Sequence, residues 1–395
     1  MCSGAMTSLP YGRQLIDEDD IAAVVEALRS DFLAHGPRVA EFERAFAQRV
    51  GAQEAVACAS ATAALQLTLA SLDVGPGDLC AAPAITFLST ATAPLMLGAD
   101  TVLTDVAPDT GLMTPATLAE ALGGRQVKAV LPVHLGGRLA EVAAIGLVAG
   151  AAGAVVIEDA AHAVGGVDGF GAPVGACAVS AAACYSFHPV KTLAAGEGGM
   201  IALNDAARAA RLRRLRNHGV THDTALMTEP ESLDADGVRK PWAYEQMELG
   251  WNLRMDEMSA ALGLSQLGKL DRFVARRTAL ADLYDQALAP LAPLVRPVTR
   301  GEGRPALHLY QVLVDFEAAG ALRETVMRRM SAAGVSTQVH YIPLYRHPSF
   351  IARHGQRRLP GAEAFYARVL ALPLFPGMTD ADAERVVEAL KAALS

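Results

Sequence analysis

One lysine stands in the stretch "CYSFHPVKTLAAGEGGM" (residues 184–200). Lys191 follows an apolar, strand-like run and precedes the glycine-rich turn Gly196-Glu197-Gly198-Gly199. Most lysines are solvated, and a surface position is one reading of it. The setting supports another. An amine held at low dielectric releases its proton more readily and can attack a carbonyl. Asp159 closes "AVVIED" (154–159) at the tip of a central strand. It either caps the next helix or sits opposite a ring nitrogen and keeps it protonated, which pyridoxal phosphate needs to act as an electron sink. A metal role for Glu158, Asp159 and His162 is weaker, because strand alternation turns Glu158 away from Asp159.

A phosphate would need its own cradle. "SATAAL" (60–65) puts the hydroxyls of Ser60 and Thr62 and the small Ala61 at a helix start, where N–H groups and the helix dipole favour an anion. An ordinary N-cap on an alanine-rich helix reads equally from those residues. Ser186, five residues before Lys191, can close the same cup. Phe87, in "PAITF", either stacks on a flat ligand or packs in the core.

The elements that must position these groups alternate. "AVACAS" (55–60), "LCAAP" (79–83), "TVLTDV" (101–106), "VKAVLPV" (127–133), "AVVIED", "CAVSAAACYSF" (177–187) and "GMIAL" (199–203) read as strands, with helices between most of them. That pattern predicts an α/β fold with a mostly parallel sheet covered on both faces. Ligands of such sheets bind at the C-terminal strand ends, where Ser60, His134 and Asp159 fall. No GxGxxG fingerprint or Walker loop is present. After a helical stretch at 256–289 the pattern changes: a strand at 307–314, a helix at 318–333, a strand at 335–341 and a last helix at 379–393 predict a small α+β domain. The division falls at 1–295, an N-terminal arm and large domain, and 296–395.

Composition narrows the class. Hydrophobic residues make up 52 % of the 395, enough for a large core, and the net charge of −8 argues against a nucleic-acid partner. The densest basic cluster, Arg211, Arg213, Arg214 and Arg216, reads as a solvated or subunit-facing helix surface. Disorder is expected only in the first few residues and around 222–240. The cysteines, Cys2, Cys58, Cys80, Cys177 and Cys184, are odd in number and form no CxxC pair or zinc spacing. They read as core residues of a reducing compartment. With neither a signal-peptide pattern nor an apolar run long enough for a membrane span, a cytoplasmic protein is expected.

The ordered set "SATAAL", "APAITFLSTATAPLMLGAD", "VLPVHLGG", "IEDAAHAVGG", "YSFHPVKTLAAGEGGM", "RNHGV" and "GWNLRMDEMSAALGLSQL" resembles the DegT/DnrJ/EryC/StrS family of sugar aminotransferases, over nearly the whole chain. The resemblance implies the aspartate aminotransferase type fold (fold type I) and pyridoxal 5'-phosphate. It implies that Lys191 holds the cofactor through a Schiff base and that Asp159 pairs with the pyridine nitrogen. His162 would sit against the cofactor, on its ring face or at its phenolic oxygen. Phe87 would stack on the ring, and Ala61, Thr62 and Ser186 would hold the phosphate. Asn252 would reach that phosphate from a neighbouring subunit, making a homodimer with shared active sites the active unit.

Within the family, "YGRQLIDEDDIAAVVEALRSDFLAHGPRVAEFE", "PWAYEQMELGWNLRM" and "VHYIPLYRHPSF" resemble the pseudaminic-acid clade. That implies L-glutamate as donor and C4 of a UDP-linked 4-keto-6-deoxy-N-acetylhexosamine as acceptor. Leu253 replaces the usual tyrosine after the asparagine. Arg13, His35, Arg254, His308 and His340 are candidates to hold the donor carboxylate and the diphosphate. Other keto sugars (UDP-4-keto-arabinose, a dTDP-4-keto-hexose, a 3-keto sugar) are the rival acceptors. C3 dehydration is opposed by Lys191, since such relatives carry histidine there. A non-catalytic binding protein of this fold is opposed by the intact set Lys191, Asp159, Ser186 and Asn252.

Overall fold

The computed structural model describes residues 8–395; Cys2 and the first few residues lie outside that range. Seven strands form the main sheet: β1 (Glu54–Cys58), β2 (Leu79–Pro83), β3 (Asp100–Thr104), β4 (Ala129–Val130), β5 (Val155–Asp159), β6 (Ala182–Ser186) and β7 (Gly199–Leu203). Their spatial order is β1-β7-β6-β5-β4-β2-β3. β7 runs against both neighbours and the remaining pairings are parallel. The C-terminal ends of β1, β2, β4, β5 and β6 therefore share one edge of the sheet.

Both faces are buried, as the near-continuous apolar strands require. Ala55 and Ala57 of β1, Ala183 and Tyr185 of β6, and Met200 and Ala202 of β7 pack against helices Pro37–Val50 and Glu257–Leu267. The alternate residues Val56, Cys58, Ala182, Cys184, Ile201 and Leu203 pack against helices Ala61–Ser71 and Ala206–Leu215. Ser60 starts the first of these two, its hydroxyl accepting from Ala63 N–H at 3.2 Å. Gly199 lets β7 run close beneath that start, since a Cβ there would lie 2.3 Å from Ser60 O.

β8 (Val220–Thr221) and β9 (Glu245–Gln246) flank the loop expected to be disordered, and the Glu245 carboxylate accepts from Thr228 N–H and Glu229 N–H across it. The basic helix is neutralised locally: Arg211 pairs with Asp73 and Glu248, Arg213 with Glu54, and Arg216 with Glu43. A second sheet holds β10 (Val295–Pro297), β11 (Tyr310–Val314) and β12 (Val369–Leu372), antiparallel throughout. Its core also takes Leu280, Tyr284 and Leu288, from before residue 295. The expected helix at 256–289 is two helices, Glu257–Leu267 and Leu270–Leu288, broken at Gly268. The expected strand at 335–341 is irregular chain with single bridges from Val335 to Leu9 and from Gln338 to Ala371. Among the described residues no helix is long and apolar enough to cross a membrane.

Candidate active site

The shared strand edge opens on a cavity of about 310 Å³, whose lining also includes His308, His340 and Tyr341. Lys191 enters it from the loop after β6. Two backbone bonds staple that loop at its base, Phe187 N–H to Gly198 O (2.9 Å) and Ala195 N–H to Phe187 O (2.8 Å). Leu193, Ala194 and Ala195 are buried beneath it. Burial lowers the Lys191 amine to about 8, against the opposing charge of Asp159. Lys191 is half-buried in the cavity wall, not on an open surface.

Asp159 is buried at the tip of β5. Burial raises its pKa, while a 2.6 Å bond from Thr90 Oγ1 and a 3.2 Å bond from Ala161 N–H oppose the shift. Its neighbour Glu158 faces the other way, where it takes the Ser180 hydroxyl and lies 2.9 Å from His134 Nε2. The alternation expected of the strand is present, and the pair does not make a common metal site.

His162 accepts from Gly136 N–H at Nδ1 (3.1 Å) and lies against His308, with ring centroids 4.6 Å apart. Burial, with Lys191 nearby, holds His162 and His308 well below the ordinary histidine pKa; burial takes His340 down to about 4. All three are therefore neutral at pH 7. Ser60, Ala61 and Thr62 line the cavity at the helix start, facing Ser186. The N–H groups of Ala61 and Thr62 have no intrahelical acceptor, as in any first turn. Phe87 is 54 % exposed and lines the cavity, which removes the core-packing reading.

The structure thus gathers Ala61, Thr62, Phe87, Asp159, His162, Ser186, Lys191, His308 and His340 around one space. It sets four expected residues apart from the lining. Arg13, His35 and Asn252 are exposed, and Arg254 donates to Asn217 Oδ1 at 2.6 Å. Thr90 and Tyr341 join the site without having been singled out. The hydroxyl-rich "TFLSTAT" after β2 was the available signal for Thr90.

An amine, a facing buried carboxylate, an exposed ring and a helix start with free N–H groups fit pyridoxal phosphate. A family model for the DegT/DnrJ/EryC1/StrS aminotransferase family matches residues 14–391. The chain is 37 % identical to the spore coat polysaccharide biosynthesis protein SpsC of Bacillus subtilis, over 97 % of this chain and 96 % of that one. Among solved structures it resembles Helicobacter pylori PseC, an aminotransferase of pseudaminic acid biosynthesis (25 % identity, TM-score 0.89, 98 % and 99 % of the two chains). It also resembles the PLP form of the sugar aminotransferase Spr1654 of Streptococcus pneumoniae (26 % identity, TM-score 0.87, 98 % of each chain). The protein belongs to the DegT/DnrJ/EryC1/StrS family of pyridoxal phosphate-dependent sugar aminotransferases.

Proposed function

We propose that the enzyme moves the amino group of L-glutamate to C4 of a UDP-linked 4-keto-6-deoxy-N-acetylhexosamine, the step that pseudaminic acid assembly requires. The observation that carries the aminotransferase chemistry is the presence of Lys191 and Asp159 in one cavity beside the start of helix Ala61–Ser71. The acceptor is supported by the clade-like segments at 11–43 and 241–255 and by the likeness to PseC. The 37 % identity to SpsC supports a second reading, another nucleotide-linked keto sugar of polysaccharide assembly.

Bound pyridoxal phosphate supplies the electron sink that makes the α-proton of glutamate acidic. The chain supplies the rest. Asp159 would pair with the pyridine nitrogen and keep it protonated, and the Thr90 hydroxyl, donating to Asp159, favours its ionised form against burial. The Ala61 and Thr62 N–H groups, with the Ser186 hydroxyl, would hold the phosphate. The Phe87 ring would cover one face. With its amine free, Lys191 would take the proton from Cα of the donor. Once the amino group has been given up and 2-oxoglutarate has left, the same amine would return a proton at C4 of the keto sugar as that carbon takes the amino group.

We also propose a homodimer in which Asn252 of each copy reaches the other's phosphate site. Its exposure, away from its own cavity, supports this. Residues 1–295 and 296–395 would be its two domains, and the cytoplasm its compartment, in keeping with four buried free cysteines. The test of the acceptor is a comparison of kcat/KM on the UDP-linked hexosamine and on UDP-4-keto-arabinose, with products read by NMR. Preference for the pentose, or amination at C3, would overturn it.

A further inference from the structure

Tyr341 stands in the cavity wall with its ring fixed by three others. Its centroid lies 4.9 Å from that of His340 at 89°, 6.0 Å from Phe87 and 6.4 Å from His162 at 22°. The chain behind it is anchored to the main domain. Buried Arg138 donates to Gln311 Oε1 at 2.8 Å, and Gln311 Nε2 donates to His340 O at 3.2 Å. The hydroxyl therefore occupies a set place.

Proton accounting gives that hydroxyl a direction. His162 Nδ1 accepts the Gly136 N–H, so the neutral ring carries its proton on Nε2. Nε2 lies 3.4 Å from the Tyr341 hydroxyl. The imidazole is the donor in this pair and the phenol oxygen the acceptor. Among the described residues the hydroxyl has no other hydrogen-bond partner, so its own proton is free for the cavity. Burial and the Asp159 charge hold the phenol above its ordinary pKa, and it keeps that proton. A donor enclosed this way is costly unless an acceptor arrives with the ligand.

We propose that the Tyr341 hydroxyl, oriented by Gly136 and His162, donates to an anionic oxygen of the ligand held between Lys191 and Asp159. The proposal rests on the aminotransferase reading of the site. Two oxygens have the right chemistry, the phenolate of the cofactor and a carboxylate of the amino donor. A preorganised donor stabilises either one, and it needs no reorganisation when the ligand binds.

The test is Tyr341→Phe in the full-length holoenzyme, which keeps the ring and its packing and removes the hydroxyl alone. Two quantities are read, neither of them turnover. One is the pH midpoint of the bound cofactor's visible spectrum without donor; the other is the Kd of glutarate, an unreactive dicarboxylate. Loss of one hydrogen bond to a charged group weakens binding about 10- to 100-fold. A glutarate Kd raised by that factor with an unmoved midpoint supports the proposal and assigns the donor carboxylate. A midpoint raised by about one pH unit with an unchanged Kd supports it and assigns the phenolate. Both moving supports a shared contact. If neither moves, the proposal is overturned, whatever the turnover. Failure of the wild-type protein to take up pyridoxal phosphate on titration would instead overturn the aminotransferase reading on which the proposal rests, and the wild-type cofactor Kd keeps the two failures apart.

Discussion

The Thr90 hydroxyl donates a 2.6 Å hydrogen bond to Oδ2 of Asp159, and Thr86 Oγ1 lies 2.8 Å from Thr90 Oγ1 behind it. Asp159 must be ionised to pair with a pyridinium, yet burial pushes its pKa up. The threonine opposes that push. In Thr90→Val the carboxyl rises further, so the acid limb of the single-turnover rate with L-glutamate moves to higher pH. The rate at pH 7 falls about tenfold, the worth of one hydrogen bond to a charge. Thr90→Ser keeps the wild-type limb. An unmoved limb in the valine variant would remove the role.

Asp159→Asn keeps the cofactor and loses the charge that protonates its ring. The expected loss in the glutamate half-reaction is several kcal/mol, about 10²- to 10⁴-fold in rate. Rapid-mixing absorbance measures it, and a near-normal rate would refute the pairing.

The Lys191 amine, lowered to about 8 from 10.5, sets a pH dependence for cofactor capture by the apoenzyme. Only the neutral amine attacks the aldehyde. The capture rate should therefore climb about tenfold per pH unit below 8 and level off above it. Stopped-flow absorbance after mixing apoenzyme with pyridoxal phosphate reads this directly. In Lys191→Ala, borohydride should fix no cofactor to the chain, while thermal unfolding stays near wild type.

Gly137 has φ +91, and a Cβ on it would lie 2.1 Å from Ala306 O. Its turn carries Gly136, whose N–H binds His162 and whose carbonyl takes the N–H of His308. Gly137→Ala should cost about 3 kcal/mol or more in urea unfolding, from backbone strain and the displaced segment together. A loss below about 0.5 kcal/mol would mean that the turn tolerates a side chain.

A mixing experiment tests the proposed sharing of sites between two copies. Lys191→Ala and Asn252→Ala homodimers should each be impaired. Mixed one to one and allowed to exchange subunits, half of the dimers are hybrids with one intact site each, so about a quarter of wild-type activity returns. No recovery, with hybrid dimers demonstrated by mass spectrometry, would place Asn252 outside the partner's site.

The strands were legible where a short apolar run is bounded by turn residues. "LCAAP" is β2 residue for residue, and "TVLTDV" overlaps β3 closely. The run at 177–187 shrank to Ala182–Ser186 because Cys177 turns the chain at φ +51. Lys191 and Asp159 stood out because one follows an apolar strand by five residues and the other ends one. Thr90 and Tyr341 were not, because their meaning lies in contacts with residues 69 and 179 positions away. Arg13 and His35 lie outside the lining of this cavity, and a string of residues carries no record of which cation faces which cavity.

Glu158 and Asp159 are chain neighbours that answer to different parts of the molecule. Glu158 looks into packed protein, toward His134 and Ser180, whereas Asp159 looks into the reaction space. A single turn of the pleat thus separates a structural acid from a chemical one. Lesions at these adjacent codons should read out in different assays: folded yield for the first, turnover for the second. Selection can then retune the cavity's chemistry for a new sugar without loosening the strand that presents it.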